Sequence, residues 1–263
     1  MTRDFIFLSA FQGIAEFLPI SSNGHLVVLE KLVGVATNGL ETHVALHFGS
    51  LLALFIYFFK DICLMIFGLW VYDIKGLKKH PGKRYRDLAW TLVFSSFPAM
   101  VVGFFIKKFY GSISESFIII GIASIVFGIL LILADVNPVK DRFVTYKRGF
   151  GIGIAQCFAF IPGASRSGMC LTAARFFGLS RIEATRFSFL MAIPTILGAS
   201  TLVALDMPNI SALFTTSQLT LVGITASLGI LTIQTLLWFL SRFSFCFFGI
   251  YRIIFGIFLL LFL

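Results

Sequence analysis

The chain has 263 residues, of which 58% are hydrophobic and only 13% are charged, and it carries a net charge of +9. Soluble globular domains average about 45–50% apolar and about 25% charged residues, so this composition excludes an ordinary soluble domain and indicates a protein embedded in lipid. In a soluble protein the positive charge would suggest nucleic-acid binding, but here the basic residues cluster in short loops, and membrane topology explains them.

Six apolar segments are long enough, or nearly so, to cross a bilayer core, which requires roughly 20 apolar residues per helix. These predicted spans are 43–59, 88–106, 116–134, 187–205, 218–240 and 245–263. The shorter segment 62–72 is predicted to continue the helix of 43–59 along the membrane surface. The pattern predicts one integral membrane domain over residues 1–263.

Four further apolar segments, 5–20, 25–34, 149–161 and 168–178, are too short to be convincing spans. Segments of about 10–14 residues are typical of re-entrant or interfacial pieces. They form two pairs, each followed by three predicted spans. We therefore interpret 5–34 and 149–178 as two re-entrant helix pairs.

The basic loops orient these elements. Loops 73–87 and 137–148 are separated by two spans, so both lie on one side, and the positive-inside rule makes that side cytoplasmic. Their basic residues are Lys75, Lys78, Lys79, Lys83, Arg84, Arg86, Lys140, Arg142, Lys147 and Arg148. Arg181, Arg186 and Arg242 fall on the same side, whereas Lys107 and Lys108 fall outside.

With this orientation, the first helix pair enters the membrane from outside and the second enters from the cytoplasm, as in an inverted-topology repeat. Residues 17–24 read F-L-P-I-S-S-N-G and residues 160–168 read F-I-P-G-A-S-R-S-G. Chance similarity between two Ser/Gly turns is the alternative. The predicted fold class is an all-α polytopic membrane protein with six spanning helices and two re-entrant helix pairs, with repeat one over about 4–134 and repeat two over about 149–263.

The first turn carries a carboxylate within an apolar segment. Glu16 lies four residues after Gln12, so the two share a helical face, and ionisable residues at membrane depth are usually functional. Glu16 could bind a divalent cation or accept a proton from a neighbouring hydroxyl. The alternative is a carboxylate that reaches the interface at a helix end. Ser21, Ser22, Asn23, Gly24 and His25 follow, and the two serines could instead serve as turn and capping hydroxyls.

The second turn carries Ser165, Arg166, Ser167 and Gly168. The planar guanidinium of an arginine matches phosphate oxygens, and backbone N–H groups at the start of a half-helix favour anions. A snorkelling or salt-bridged Arg166 is the alternative. No role is assigned to His43, His47 or His80. Snorkelling accounts for Arg252, although a role near the pocket is left open.

At these motifs the sequence resembles the undecaprenyl-diphosphatase family (UppP, also called BacA). Q-G-I-A-E-F-L-P-I-S-S-N-G-H at 12–25 is similar to the first family signature, P-G-A-S-R-S-G at 162–168 to the second, and F-S-F-L-M-A-I-P at 187–194 to a third stretch. The resemblance covers essentially the whole chain. It implies hydrolysis of undecaprenyl pyrophosphate to undecaprenyl phosphate and inorganic phosphate, and a link to bacitracin resistance.

The resemblance also implies roles for individual residues. Glu16, Ser22, His25 and Arg166 would be catalytic, with Ser22 as nucleophile or substrate ligand and Arg166 as the phosphate clamp. Gln12 and Glu16 would bind a divalent cation, Mg²⁺ or Ca²⁺, although Gln12 supplies no charge where some members carry Glu. The residues expected to bind substrate are Ser21, Asn23, Gly24, Ser165, Ser167 and Gly168.

The family further implies the bacterial cytoplasmic membrane, a site open to the periplasmic or outer face, and a polyprenyl pyrophosphate among membrane lipids as substrate, with no nucleic-acid partner. Whether the chain forms a homodimer is left open. A lipid-phosphate flippase or small-anion transporter is the alternative function, because inverted repeats with broken helices are typical of transporters. A structural scaffold would leave Glu16 and Arg166 without purpose.

Overall fold

A computed structural model describes residues 3–34, 39–70, 81–110, 116–140, 144–205, 207 and 210–262. Within these ranges the regular secondary structure is helical, as predicted. The helices are α1 (Arg3–Ala15), α2 (Ser22–Val28), α3 (Gly39–Tyr57), α4 (Phe59–Trp70), α5 (Pro81–Tyr110), α6 (Phe117–Asp135), α7 (Tyr146–Gln156), α8 (Arg166–Phe176), α9 (Arg181–Ala204), α10 (Thr216–Leu240) and α11 (Cys246–Phe262). A π-helical turn, Leu29–Val33, extends α2, and 3-10 turns occupy Cys157–Phe160 and Ile210–Phe214.

Five of the described helices, α3, α5, α6, α9 and α10, are long and apolar enough to cross a membrane. They coincide with five of the six predicted spans, and the chain is a multi-pass membrane protein. The sixth prediction, 245–263, corresponds to α11, which is apolar but has only 17 described residues. Helix α9 begins directly after Ser180, whose side chain accepts a hydrogen bond from the Glu183 N–H and so caps the helix.

Residues 62–70 of the predicted surface segment lie in α4, which is separated from α3 only by Phe58 and packs along α5. Residues 71 and 72 of that segment lie outside the described residues. The basic residues Lys75, Lys78, Lys79 and Arg142, together with His80, lie outside the described residues.

Glycines allow helices α6 and α11 to approach closely. Helices α6 and α11 run antiparallel, with Gly128 opposite Gly249 and Gly121 opposite Gly256. A Cβ on Gly256 would lie 2.5 Å from the Gly121 carbonyl oxygen, and one on Gly128 would lie 2.9 Å from that of Gly249. Small residues permit such backbone approach between membrane helices. Helix α6 is thereby fixed behind the two broken helix pairs.

Buried charges join the ends of several helices. The Asp135 carboxylate is 3% exposed and accepts hydrogen bonds from Arg181 Nε at 2.8 Å and from the Phe245 N–H at 2.9 Å. Arg175 donates to the Asp135 and Asn137 carbonyl oxygens, each at 2.7 Å. A second ion pair joins Arg186 to Asp61. A buried charge is tolerated when it is paired and hydrogen-bonded in this way.

Candidate active site

Two helix breaks, each ended by a serine, form the site. The first break separates α1 from α2, which is capped by Ser21, and the second separates the Cys157–Phe160 turn from α8, which is capped by Ser165. The two serines have φ angles of 74° and 70°, and no other non-glycine residue in the described ranges has a positive φ. Such backbone is costly for a residue with a side chain and is found at functional sites.

Each serine closes its turn in the same way. The Ser21 hydroxyl accepts from the Gly24 N–H at 3.4 Å, and the Ser165 hydroxyl accepts from the Gly168 N–H at 3.1 Å. The repeated sequence motif therefore produces a repeated backbone conformation. The N–H groups of Gly24 and Gly168 are therefore already engaged, because each donates to the serine hydroxyl that caps its helix.

The two turns touch each other. The Ser167 hydroxyl, 3.2 Å from that of Ser165, donates to the Leu18 carbonyl oxygen at 3.0 Å. A Cβ on Gly24 would lie 3.5 Å from the Gly163 Cα, and Gly163, at φ +90°, lies directly against the Ile120 backbone of α6. The turns therefore meet in front of α6.

Glu16 and Arg166 form an ion pair across the junction. Arg166 donates from a terminal guanidinium nitrogen to Glu16 Oε1 at 2.9 Å. Glu16 Oε2 accepts from Gln12 Nε2 and from the Ser22 hydroxyl, each at 3.0 Å. The structure thus brings together the carboxylate of one turn and the guanidinium of the other, two of the residues expected to be catalytic.

A cavity of about 180 Å³ opens between the turns. Because a water molecule occupies about 30 Å³ of liquid, the cavity can hold several waters or a small anion. Its polar lining consists of Glu16, Ser21, Ser22, Asn23, His47, Ser165, Arg166 and Ser167. The apolar part comprises Ala159, Phe160, Ile161 and Pro162, with Gly163 beside them.

His47, to which the sequence analysis assigned no role, reaches this cavity from α3. Its Nδ1 atom is buried and has no hydrogen-bond partner in the described part of the chain. The signal that could have identified it is a histidine inside an apolar span, because polar groups at membrane depth are usually functional.

His25 lies behind the first turn and does not belong to the cavity lining. Its Nδ1–H donates to the Ser21 carbonyl oxygen at 2.9 Å, and its Nε2 lies 2.7 Å from the Tyr251 hydroxyl. The ring stacks on Phe255, with centroids 3.9 Å apart. Both ring nitrogens are therefore engaged away from Ser22 and Glu16, so the structure does not bring His25 to the other residues expected to be catalytic.

Arg252 is fully buried, so the snorkelling explanation is wrong. One of its terminal nitrogens donates to the carbonyl oxygens of Gly163 at 2.9 Å and Ala164 at 2.7 Å. Both acceptors belong to the second turn.

The site offers oxygen ligands for a divalent cation. Gln12 Oε1 is buried without a hydrogen-bond partner among the described residues, next to the Glu16 carboxylate. No group of three or more His, Cys, Asp or Glu side chains that could hold a metal ion occurs within the described ranges. Mg²⁺ is commonly held by one or two carboxylates together with substrate phosphates, so these residues fit a cation whose remaining ligands come from substrate and water.

The fold and the pocket define a multi-pass helical membrane protein with a polar site where two broken helices meet. The chain belongs to the family described as bacitracin resistance protein BacA, whose profile matches residues 5–258.

Curated relatives carry the name undecaprenyl-diphosphatase. A Campylobacter curvus protein is 38% identical over 97% of this chain and 96% of its own length. An Alteromonas mediterranea protein is 41% identical over 78% of the chain and 76% of its own length, and an Aliivibrio salmonicida protein is 42% identical over 76% and 75%. These names do not support the flippase or anion-transporter alternative.

Proposed function

We propose that this protein hydrolyses undecaprenyl pyrophosphate to undecaprenyl phosphate and inorganic phosphate, which recycles the lipid carrier for peptidoglycan synthesis and contributes to bacitracin resistance. The family and the named relatives support the reaction. The observation that carries the proposal is the convergence of Glu16, Ser22 and Arg166 on one cavity. Phosphoryl transfer mainly requires positioning and charge neutralisation, and these side chains supply both.

Arg166 binds the pyrophosphate in this proposal. Its planar group can donate two parallel hydrogen bonds to phosphate oxygens. Glu16 neutralises the guanidinium at a distance of 2.9 Å, which lowers the cost of a buried cation at membrane depth. A diphosphate entering the cavity replaces part of that pairing, because it brings more negative charge than one carboxylate.

In the proposed reaction, Glu16 accepts the proton of the Ser22 hydroxyl. The Ser22 hydroxyl already donates to Glu16 Oε2 at 3.0 Å, so the carboxylate can take this proton as the serine oxygen attacks the terminal phosphorus. The bond between that phosphorus and the bridging oxygen breaks, and undecaprenyl phosphate leaves. Water then releases phosphate from the serine. Alternatively, Ser22 orients a water that attacks directly, with Glu16 as the same proton acceptor.

Glu16 and Gln12 would hold the divalent cation. When bound, Mg²⁺ or Ca²⁺ supplies positive charge to the phosphate oxygens. Ser21, Asn23, Gly24, Ser165, Ser167 and Gly168 complete the substrate-binding turns, and the backbone of the α8 N-terminus favours an anion.

The proposed topology has six spans, including α11, and two re-entrant pairs in an inverted repeat. Helix packing supports it: α5 packs on α7 and α9, whereas α10 packs on α1 and α3. In the proposed repeat, α1, α3, α5 and α6 correspond to α7, α9, α10 and α11. The contacts of α5 in one repeat are therefore matched by those of α10 in the other, and α6 and α11 pack against each other antiparallel. The protein resides in the bacterial cytoplasmic membrane, with the pocket open to its outer face.

Phosphate release from a polyprenyl pyrophosphate by purified, detergent-solubilised protein tests the function. Arg166→Ala should lower kcat/KM at least about 100-fold, the usual scale for removing a transition-state donor. Arg242→Ala, which removes an exposed arginine stacked on Trp238, is the matched control. A wild-type protein that releases no phosphate contradicts the function, and an active Arg166→Ala variant contradicts the clamp.

A further inference from the structure

Two consecutive residues of α11, Tyr251 and Arg252, each reach one of the two turns that form the pocket. Tyr251 contacts the first turn through His25, and Arg252 contacts the second turn directly. Neither residue is among the cavity-lining side chains. They can therefore act on the site only indirectly, by holding the turns or through the positive charge of Arg252.

Arg252 carries a buried charge without a compensating anion. It is 0% exposed, and no carboxylate in the described ranges lies within ion-pair distance of it. Its Nε and one terminal nitrogen are buried without hydrogen-bond partners in the same ranges. A buried charge of this kind is unfavourable in a membrane protein and usually has a function.

The Arg252 guanidinium lies against the backbone of the second turn. Its other terminal nitrogen holds the Gly163 and Ala164 carbonyl oxygens, which directly precede the strained Ser165. A Cβ on Gly168 would lie only 2.6 Å from the unpartnered terminal nitrogen. Arg252 is therefore packed against the first turn of α8, behind the backbone that faces the cavity.

Tyr251 acts on the other turn through a chain of two hydrogen bonds. The Ser21 carbonyl oxygen can only accept, so His25 Nδ1 must carry a proton. In the neutral ring, Nε2 then accepts from the Tyr251 hydroxyl at 2.7 Å. Tyr251 thereby fixes the tautomer that holds Ser21, whose φ is 74°.

We infer that Tyr251 and Arg252 are positioning residues that hold the two serine turns together in the anion-binding conformation, and that the charge of Arg252 also attracts the pyrophosphate. This inference rests on the proposed function for its kinetic readout. One dipeptide on one helix thus couples the two turns, so that a shift of α11 would move both caps together.

Steady-state hydrolysis by purified variants tests the inference. Tyr251→Phe should lower kcat roughly tenfold with little change in KM, since it removes one hydrogen bond that orients the reacting turn. Arg252→Gln should raise KM as well as lower kcat, whereas Arg252→Lys, which keeps the charge, should recover much of the KM. Tyr57→Phe is the control for the tyrosine change, because its hydroxyl forms no hydrogen bond within the described part of the chain.

A purely structural role predicts a different pattern. Thermal stability would fall while kcat and KM per folded molecule stayed at wild-type values, with lysine and glutamine equivalent at position 252, and that result overturns the inference. If Arg252→Gln does not fold, Tyr251→Phe decides alone. If the wild type releases no phosphate, binding of inorganic pyrophosphate decides: weaker binding by Arg252→Gln than by Arg252→Lys supports the inference, and equal binding overturns it.

Discussion

At the scale of single residues, the Glu16 carboxylate has three donors, from Gln12, Ser22 and Arg166. Each donor fixes a different part of the site: the first helix, the serine hydroxyl and the second turn. The carboxylate is therefore both a structural junction and the nearest proton acceptor for Ser22. Replacing Ser22 should therefore impair the chemical step, whereas replacing Arg166 should also disturb the contact between the two turns.

Replacing Ser22 by Ala should lower kcat about 100-fold or more while leaving the Glu16–Arg166 ion pair in place, because the hydroxyl reaches only the carboxylate. Phosphate release per folded molecule is the measurement. Ser227→Ala, which removes an exposed hydroxyl bonded to its own helix, is the matched control. Equal activity of the Ser22→Ala variant and the wild type would exclude a chemical role for the hydroxyl.

The resemblance assigns Glu16 and Arg166 to one catalytic site, and their ion pair shows that the two side chains lie together. Their catalytic roles stay predictions. Sequence reasoning could not place His25 correctly, because its partners, Tyr251 and Phe255, lie more than 220 positions away on α11. It missed His47 for the same reason: a span contributes to a pocket only through packing that periodicity does not specify.

At the scale of helices, hydropathy located the spans but not their full lengths. Helix α5 begins at Pro81, before the predicted 88, because a helix continues through polar residues beyond the bilayer core. Helix pairing was not predictable from hydropathy at all. It depends on which glycines face each other, as Gly121 and Gly128 face Gly256 and Gly249.

Gly256→Ala should destabilise the protein by about 1–3 kcal/mol, because the new Cβ would lie 2.5 Å from a backbone oxygen that cannot rotate away. Thermal unfolding in detergent measures the effect. Gly223→Ala is the control, since its Cβ would meet nothing within 4 Å and Ala favours a helix. Equal loss of stability in both variants would contradict the close α6–α11 contact.

At the scale of the whole molecule, buried ion pairs tie together the ends of helices that come from both halves of the chain. Asp135 at the end of α6 is bonded to Arg181 at the start of α9 and to the Phe245 N–H ahead of α11. The positive-inside rule predicted the side of the membrane on which Arg181 and Arg186 lie, but it could not predict that they pair with Asp135 and Asp61. The pairing depends on tertiary structure.

Asp135→Asn should cost about 3–5 kcal/mol, because removal of one partner leaves buried arginine charge uncompensated. Unfolding of the purified variant measures it. Asp4→Asn, at an exposed position in the first turn of α1, is the control. A stability loss no larger than that of the control would mean that the network contributes little.

Chelation should abolish phosphate release by the intact protein, and added Mg²⁺ or Ca²⁺ should restore it, because Glu16 and Gln12 together carry only one negative charge and need substrate oxygens to complete the site. Turnover assayed with EDTA and after readdition is the measurement. Full activity in EDTA would exclude the cation from the reaction.

A double-mutant cycle shows whether the two turns act as one unit on one diphosphate. Glu16→Gln, Arg166→Gln and the double variant are compared by kcat/KM for a polyprenyl pyrophosphate. Residues acting as a unit give non-additive losses, so the double variant should be little worse than the more damaged single variant. If the two single losses simply multiply in the double variant, the two turns act independently.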